Sequence, residues 1–174
     1  MSDFRLRSAT PDDGDAIWQI LEGVIRAGET YAFARDMSRE AALRIWMELV
    51  AGCWIVESPD GMPLGTFYIK TNQAGGGDHV CNAGFITGEA ARGLGVGRWM
   101  GARALEEAAA LGYRAMQFNF VLASNVGAVK LWRSLGFIIL GTIPDAFRHP
   151  HLGLVDAHVM YRRLDPSPEL PRPH

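Results

Sequence analysis

Residues Ala91 to Met100 read ARGLGVGRWM, with Gly93, Gly95 and Gly97 at alternate positions behind an arginine and ahead of a run with helical spacing. A strand that ends in such a turn and opens a helix gathers unpaired backbone N–H groups at the positive end of the helix dipole, where anions bind. Glycine at these positions permits positive φ and lets another group approach the backbone closely. The pattern therefore demands a strand feeding a helix across an anion-sized cradle. Two familiar phosphate loops are disfavoured. Gly93-x-Gly95 meets Arg98 where a dinucleotide fold wants its third glycine, and a run of strands rather than a first strand precedes it. No Gly-Lys-Ser/Thr follows, so the lysine and magnesium-binding hydroxyl of nucleoside triphosphate chemistry are missing.

The rest of the chain supplies the frame. Phe4 to Ala9 alternates like a first strand, and Thr10-Pro11 with Asp12 and Asp13 starts a helix whose apolar face is Ile17, Ile20, Leu21, Val24 and Ile25. Gly28 and "ETYAF" interrupt it, and a second helix follows Ser38 with Ala42, Ile45, Trp46 and Leu49 on one side. "CWIVES", "PLGTFYIKT" and "HVCNAGFIT" read as an antiparallel meander separated by turn residues. After the glycines come a helix from about Gly97 to Leu111, a strand "RAMQFNF", a helix from about Asn125 to Leu135, and strands near Phe137 to Thr142 and Val155 to Leu164. The order β-α-α-β-β-β-α-β-α-β-β predicts a single α/β domain over 1–164: a mixed, mostly antiparallel sheet flanked by helices, with one β-α-β crossover.

The 174 residues suit one domain, and 48% hydrophobic and 21% charged residues suit a globular core. No apolar run nears the roughly 20 residues of a membrane-spanning helix, and no secretory signal is visible, so a cytoplasmic location without membrane association is expected. A net charge of −2 with scattered Lys and Arg argues against a nucleic-acid surface. Cys53 and Cys81 have no local Cys or His partner, so neither a metal site nor a disulfide framework is indicated. The segment 165–174 is proline-rich and is expected to be disordered.

What remains for the loop is a pyrophosphate cradle without metal ligands. Arg92-Gly93-Leu94-Gly95-Val96-Gly97 resembles the Arg/Gln-x-x-Gly-x-Gly/Ala motif of the GCN5-related N-acetyltransferases. Asn125-x-x-Ala128-x-x-Leu131-Trp132 followed by "RSLGF" is similar to that family's Asn-x-x-Ala-x-x-Leu-Tyr and "LGF". The resemblance spans about residues 4 to 164 and implies acetyl-CoA as co-substrate, with no metal. It also implies that the strand before the loop diverges from its neighbour and offers backbone groups at Phe85, Ile86 and Thr87 to the pantetheine and acetyl group. Arg92, Gly93, Leu94, Gly95, Val96, Gly97 and Arg98 would hold the pyrophosphate, and Asn125 would contact the cofactor arm while serving as an N-cap.

One position departs from the family. Trp132 stands where many relatives place a tyrosine able to protonate the leaving thiolate, and indole has no comparable acid proton. A catalytically silent CoA-binding module is the resulting rival. "HVCNAGF" and "QFNFVLASN" resemble segments of the fungal proline-analogue (azetidine-2-carboxylate) N-acetyltransferases, which implies that Asn82 and the backbone at Asn119 and Phe120 hold an acceptor carboxylate. "GETYAF", with Glu29 and Tyr31, resembles the acceptor-pocket loop of those enzymes and of the phosphinothricin-type acetyltransferases. Glu29 is then the candidate base, with Asn119 as a further catalytic candidate and His79, His149 and His151 as other titratable groups. The expected partner is a small amine, a protein N-terminus being the enzymatic alternative, and the family implies a possible homodimer.

Overall fold

The first helix starts where Thr10 and Asp13 can satisfy its end. In the computed structural model, which describes residues 3–164, the Thr10 N–H donates to Asp13 Oδ2 at 2.7 Å and a 3-10 turn, Pro11–Asp13, leads into α1, Gly14–Ala27. The expectation of a disordered 165–174 lies outside the described residues. Arg7 on β1 (Arg5–Ser8) donates to both Asp13 oxygens at 2.7 and 2.8 Å and to Glu57 of β2 (Gly52–Glu57) at 2.8 Å. The Arg7 guanidinium holds the Asp13 carboxyl well below the usual carboxylate range. Sheet edge and helix start are joined in this way.

α2, Arg39–Leu43, is capped by Ser38, whose Oγ accepts from the Ala41 N–H at 3.1 Å, and it continues as a π-turn, Arg44–Glu48, that carries Trp46 into the core. There the Trp46 Nε1–H donates to Thr66 Oγ1 at 3.1 Å, and Thr66 donates to the Trp54 carbonyl at 2.9 Å. Thr66 is fully buried, so both bonds are shielded from water. Thr66→Val keeps the shape but strands the buried Trp46 indole N–H; we expect a loss of about 1–3 kcal/mol, read by urea denaturation.

Seven strands form one sheet in the order β1-β2-β3-β4-β5-β7-β6. β2, β3 (Pro63–Thr71) and β4 (Val80–Thr87) are the expected antiparallel meander, and α3 (Val96–Ala110) carries the chain across to β5 (Ala115–Leu122), which lies parallel to β4. α4, Val126–Ser134, packs beside α3, where a Cβ on Gly101 would come within 2.6 Å of Leu135 and 3.0 Å of Trp132. Two apolar layers result. One lies between the sheet and α3 and α4, around Phe67, Met100, Met116 and Met160; the other lies under α1 and α2, around Ile17, Leu21, Trp46 and Ile55.

The end of the chain differs from its sequence pattern. "PDAFRHPHLG" reads as a long connection, yet β6 runs Ile138–His149 and β7 Gly153–Arg163, so this segment is the outer half of a hairpin. Register shifts at Ile139/Gly141 and Ile143/Phe147 explain the misreading. Pro144 and the positive-φ Asp145 fall in the second shift, and the Asp145 N–H is satisfied by Asp156 Oδ1 at 3.0 Å instead of a ladder bond. A bulge breaks the alternation on which a strand reading depends.

Candidate acetyl-transfer site

β4 and β5 pair only at Val80↔Ala115 and Cys81↔Met116 and then part. Asn82 marks the fork, its Nδ2 donating to the Gln117 carbonyl at 2.9 Å. Beyond it opens a cavity of about 440 Å³ lined by both strands, the loop after α1 and the start of α4, within the ~300–1,000 Å³ common for small-molecule sites. Phe85, Phe118 and Trp132 form its apolar floor, with ring centroids 4.7 Å apart for Phe85–Trp132 and Phe118–Trp132. The opening follows from β5 itself. Between Phe118↔Met160 and Val121↔His158, β5 advances three residues while β7 advances two. That bulge re-aims Asn119 and Phe120.

Alternation determines which β4 peptide groups face the gap. The Gly88 N–H donates to the Leu64 carbonyl at 2.8 Å and the Asn72 N–H to the Val80 carbonyl at 2.9 Å, so even-numbered β4 residues turn their peptide groups to β3. Phe85 and Thr87 therefore face the gap. Ile86 does not, a correction to the expectation of three consecutive free residues, because successive peptide groups of a strand point opposite ways. The Phe85 groups are already engaged: its N–H donates to the Tyr31 hydroxyl at 2.8 Å, and that hydroxyl donates to its carbonyl at 2.9 Å.

The glycine loop lies at the end of β4. Gly93 and Gly95 have φ of 76° and 78°, and a Cβ built on either meets no atom within 4 Å. Packing does not explain these glycines; backbone conformation and an open approach do. The loop is exposed, and Gly95 caps α3 so that the Val96, Gly97 and Arg98 N–H groups of its first turn lack acceptors within the helix. An anion fits this arrangement. Arg92 and Leu94 are exposed on the same loop, whereas the Arg98 side chain donates to Ser134 Oγ at 2.5 Å, tying α3 to α4. Asn125 caps α4, its Oδ1 accepting from the Ala128 N–H at 3.2 Å, and it also lines the cavity.

Tyr31, Asn82, Asn119 and Phe120 all reach the cavity wall. The Asn119 side chain accepts from Gln117 Nε2 at 2.9 Å and donates to Asn72 Oδ1 at 2.7 Å, linking β5 to the end of β3. Glu29 stands apart from these residues. It is half-exposed, lies outside the lining residues and stands 3.5 Å from His151 Nε2. Left-handed Gly28, which ends α1, directs the chain so that Tyr31 turns inward while Glu29 faces the hairpin tip. This contact joins the loop after α1 to the β6–β7 turn. Asn72, Gln117 and Tyr68 escaped the sequence reading; Tyr68 had one signal, since a Cβ on Gly84 would fall 2.4 Å from its ring.

The thiols are chemically quiet. Burial pushes Cys53 up to about 11 and Cys81 up to about 12, so both are protonated near neutrality and poor nucleophiles. No group of three or more metal-ligating side chains occurs among the described residues, and no helix there is long and apolar enough to cross a membrane.

The site is thus a sheet forked over an apolar floor, with a glycine-rich helix start following the diverging strand. Residues 18–137 match the Acetyltransferase (GNAT) family, and the chain belongs to it. It is similar to N-acetyltransferase aca1 of Schizosaccharomyces pombe, 40% identical over 107 residues that make up 61% of this chain and 51% of aca1, so the chain spans about half the length of that relative. A GCN5-related N-acetyltransferase from Kribbella flavida superposes with a TM-score of 0.87 at 40% identity, covering 92% of this chain and 97% of the other. The fold is also that of a phosphinothricin acetyltransferase from Sinorhizobium meliloti in complex with acetyl-CoA, with a TM-score of 0.82 at 21% identity, covering 94% and 89%.

Proposed function

We propose that the protein transfers the acetyl group of acetyl-CoA to the amine of a small amino-acid-like substrate by direct attack in a ternary complex. The observation that carries this reading is the cavity at the β4–β5 fork, where gap-facing peptide groups and the amides Asn82 and Asn125 converge over an aromatic floor. Acetyl-CoA supplies an activated acetyl carbon: the amine nitrogen bonds to it as the carbon–sulfur bond breaks, one amine proton is lost to water and the thiolate takes one up. The residues from Gly93 to Arg98 hold the pyrophosphate, and Thr87 offers its peptide groups to the arm, those of Phe85 being held by Tyr31. Asn82 spends one N–H on Gln117, which leaves its second N–H for the acceptor carboxylate beside the backbone at Asn119 and Phe120. The Glu29–His151 contact across the acceptor side favours a free amino acid over a peptide, which needs an open groove.

A screen of acetyl-CoA turnover against amino acids, cyclic imino acids, polyamines and short peptides, read by thiol release, tests this. Turnover confined to peptides refutes the small-acceptor reading, and tight acetyl-CoA binding with no turnover points to a silent binding module.

Deprotonation follows from the lining, which contains no carboxylate, imidazole or lysine. Water then takes the amine proton, and the acceptor's own ionisation governs the rate. kcat/KM should rise about tenfold per pH unit until the amine is neutral, and Glu29→Gln should leave both kcat and that profile near normal. A general base at Glu29 would instead cost about 10²- to 10⁴-fold.

A homodimer through β6 is also proposed, since this edge strand exposes Ile138, Leu140 and Ile143, and the hairpin tip exposes Leu152 and Leu154. Sedimentation equilibrium checks it.

A further inference from the structure

Tyr31 makes a bond pattern that the acceptor reading leaves unused. Its ring is held by Phe33, stacked at 5.3 Å, and by the buried Trp46, edge-on at 6.0 Å, so the hydroxyl has a defined place on the β4 edge. There it takes both peptide groups of Phe85, on the side from which β5 has withdrawn. In the free protein this one hydroxyl fills the positions that a carbonyl acceptor and an amide donor of a bound ligand would take. A phenol has one proton and two lone pairs, so rotation about its C–O bond moves the donated hydrogen bond from the Phe85 carbonyl to a new acceptor without moving the ring.

We infer that the Tyr31 hydroxyl donates a hydrogen bond to the thioester carbonyl oxygen of acetyl-CoA while its own oxygen goes on accepting from the Phe85 N–H, so that an N–H to O–H relay faces the negative charge that develops on that oxygen. This rests on the cofactor half of the proposed function and not on the choice of acceptor. Burial raises the Tyr31 ionisation above the ordinary phenol range, so the group stays protonated and acts as a donor rather than as an acid. A donor placed in advance beside a charge-accumulating oxygen, over a floor built of Phe85, Phe118 and Trp132, acts where water does not compete. Trp132 has no hydroxyl to offer; Tyr31 brings one to the same cavity from the loop after α1.

Two measurements that do not depend on turnover test this, with Tyr31→Phe as the variant and its melting temperature as the control for folding. The infrared stretch of acetyl-CoA labelled with ¹³C at the thioester carbonyl should fall on binding to the unaltered protein and return part of the way to its solution value in Tyr31→Phe. The ratio of Kd for free CoA to Kd for acetyl-CoA, which cancels effects common to both ligands, should drop about two- to tenfold in the variant, as expected for one neutral hydrogen bond. kcat should fall about 10²-fold. 3-Fluorotyrosine at position 31, a stronger donor on the same ring, should move the stretch further down. An unchanged stretch and an unchanged ratio in folded Tyr31→Phe would show that the hydroxyl only ties the loop to β4, and would overturn the inference while the cofactor reading stands. Failure of the unaltered protein to bind acetyl-CoA at all would overturn both.

Discussion

Gly95→Val is expected to weaken acetyl-CoA binding at least about a hundredfold while the protein still folds. Gly95 sits at φ 78° at the N-cap of α3, where an L-residue costs about 1–2 kcal/mol and a β-branched one more. The valine side chain would also stand in the open approach to the N–H groups of the first helical turn. Each charge-assisted hydrogen bond lost there costs about 1.5–3 kcal/mol, and about 1.4 kcal/mol is a factor of ten in Kd. A Cβ at this position meets no atom within 4 Å, so the core is undisturbed. Calorimetric titration should show the same loss for acetyl-CoA and for free CoA, because both carry the pyrophosphate. Acetyl-pantetheine, which lacks it, should bind the variant and the unaltered protein alike. Equal affinity for acetyl-CoA in a folded variant would remove the loop from the site.

Asn82→Asp is expected to raise the KM of an amino-acid acceptor about 10²- to 10³-fold. On the proposed reading the substitution replaces the N–H that would face the acceptor carboxylate with a second carboxylate, and like charges set side by side at a binding site cost several kcal/mol. It also deprives the Gln117 carbonyl of its donor at the fork, so a lower melting temperature accompanies the kinetic effect. The decarboxylated amine of the same acceptor separates the two consequences. If Asn82 reads the carboxylate, that amine is not penalised, and the ratio of its kcat/KM to that of the amino acid rises by the full KM effect. Equal losses for both acceptors would mean that Asn82 only pins β4 to β5.

The cofactor half of the site is local in sequence, and this is why it is legible there. Gly93 to Arg98 form a continuous loop and helix start, and positive φ with an open approach is a constraint that glycine alone satisfies easily, so the residue type reports the geometry. Asn125 is legible for the same reason, since an N-cap lies three residues from the N–H it accepts. The meander and the crossover follow from periodicity and turn residues.

The acceptor half is assembled across the fold and is correspondingly hidden. Tyr31 meets Phe85 over 54 positions of sequence, Asn119 meets Asn72 over 47 and Asn82 meets Gln117 over 35. Nothing in the flanking residues encodes such partners. Glu29 stands two residues from Tyr31, and only the course of the chain after left-handed Gly28 sends one to His151 and the other to β4. The outer half of the β6–β7 hairpin was unreadable because two irregularities destroy its alternation, while pairing with β7 restores the strand. Sequence alone determined the order of elements, the anion cradle and its helix, because these depend on torsion preferences and hydrogen bonds within a few residues. Tertiary structure alone decided that the peptide groups of Ile86 turn to β3, that Glu29 stays outside the cavity lining and that one tyrosine hydroxyl holds both peptide groups of Phe85, because strand register and packing set these over distances that local preference does not span.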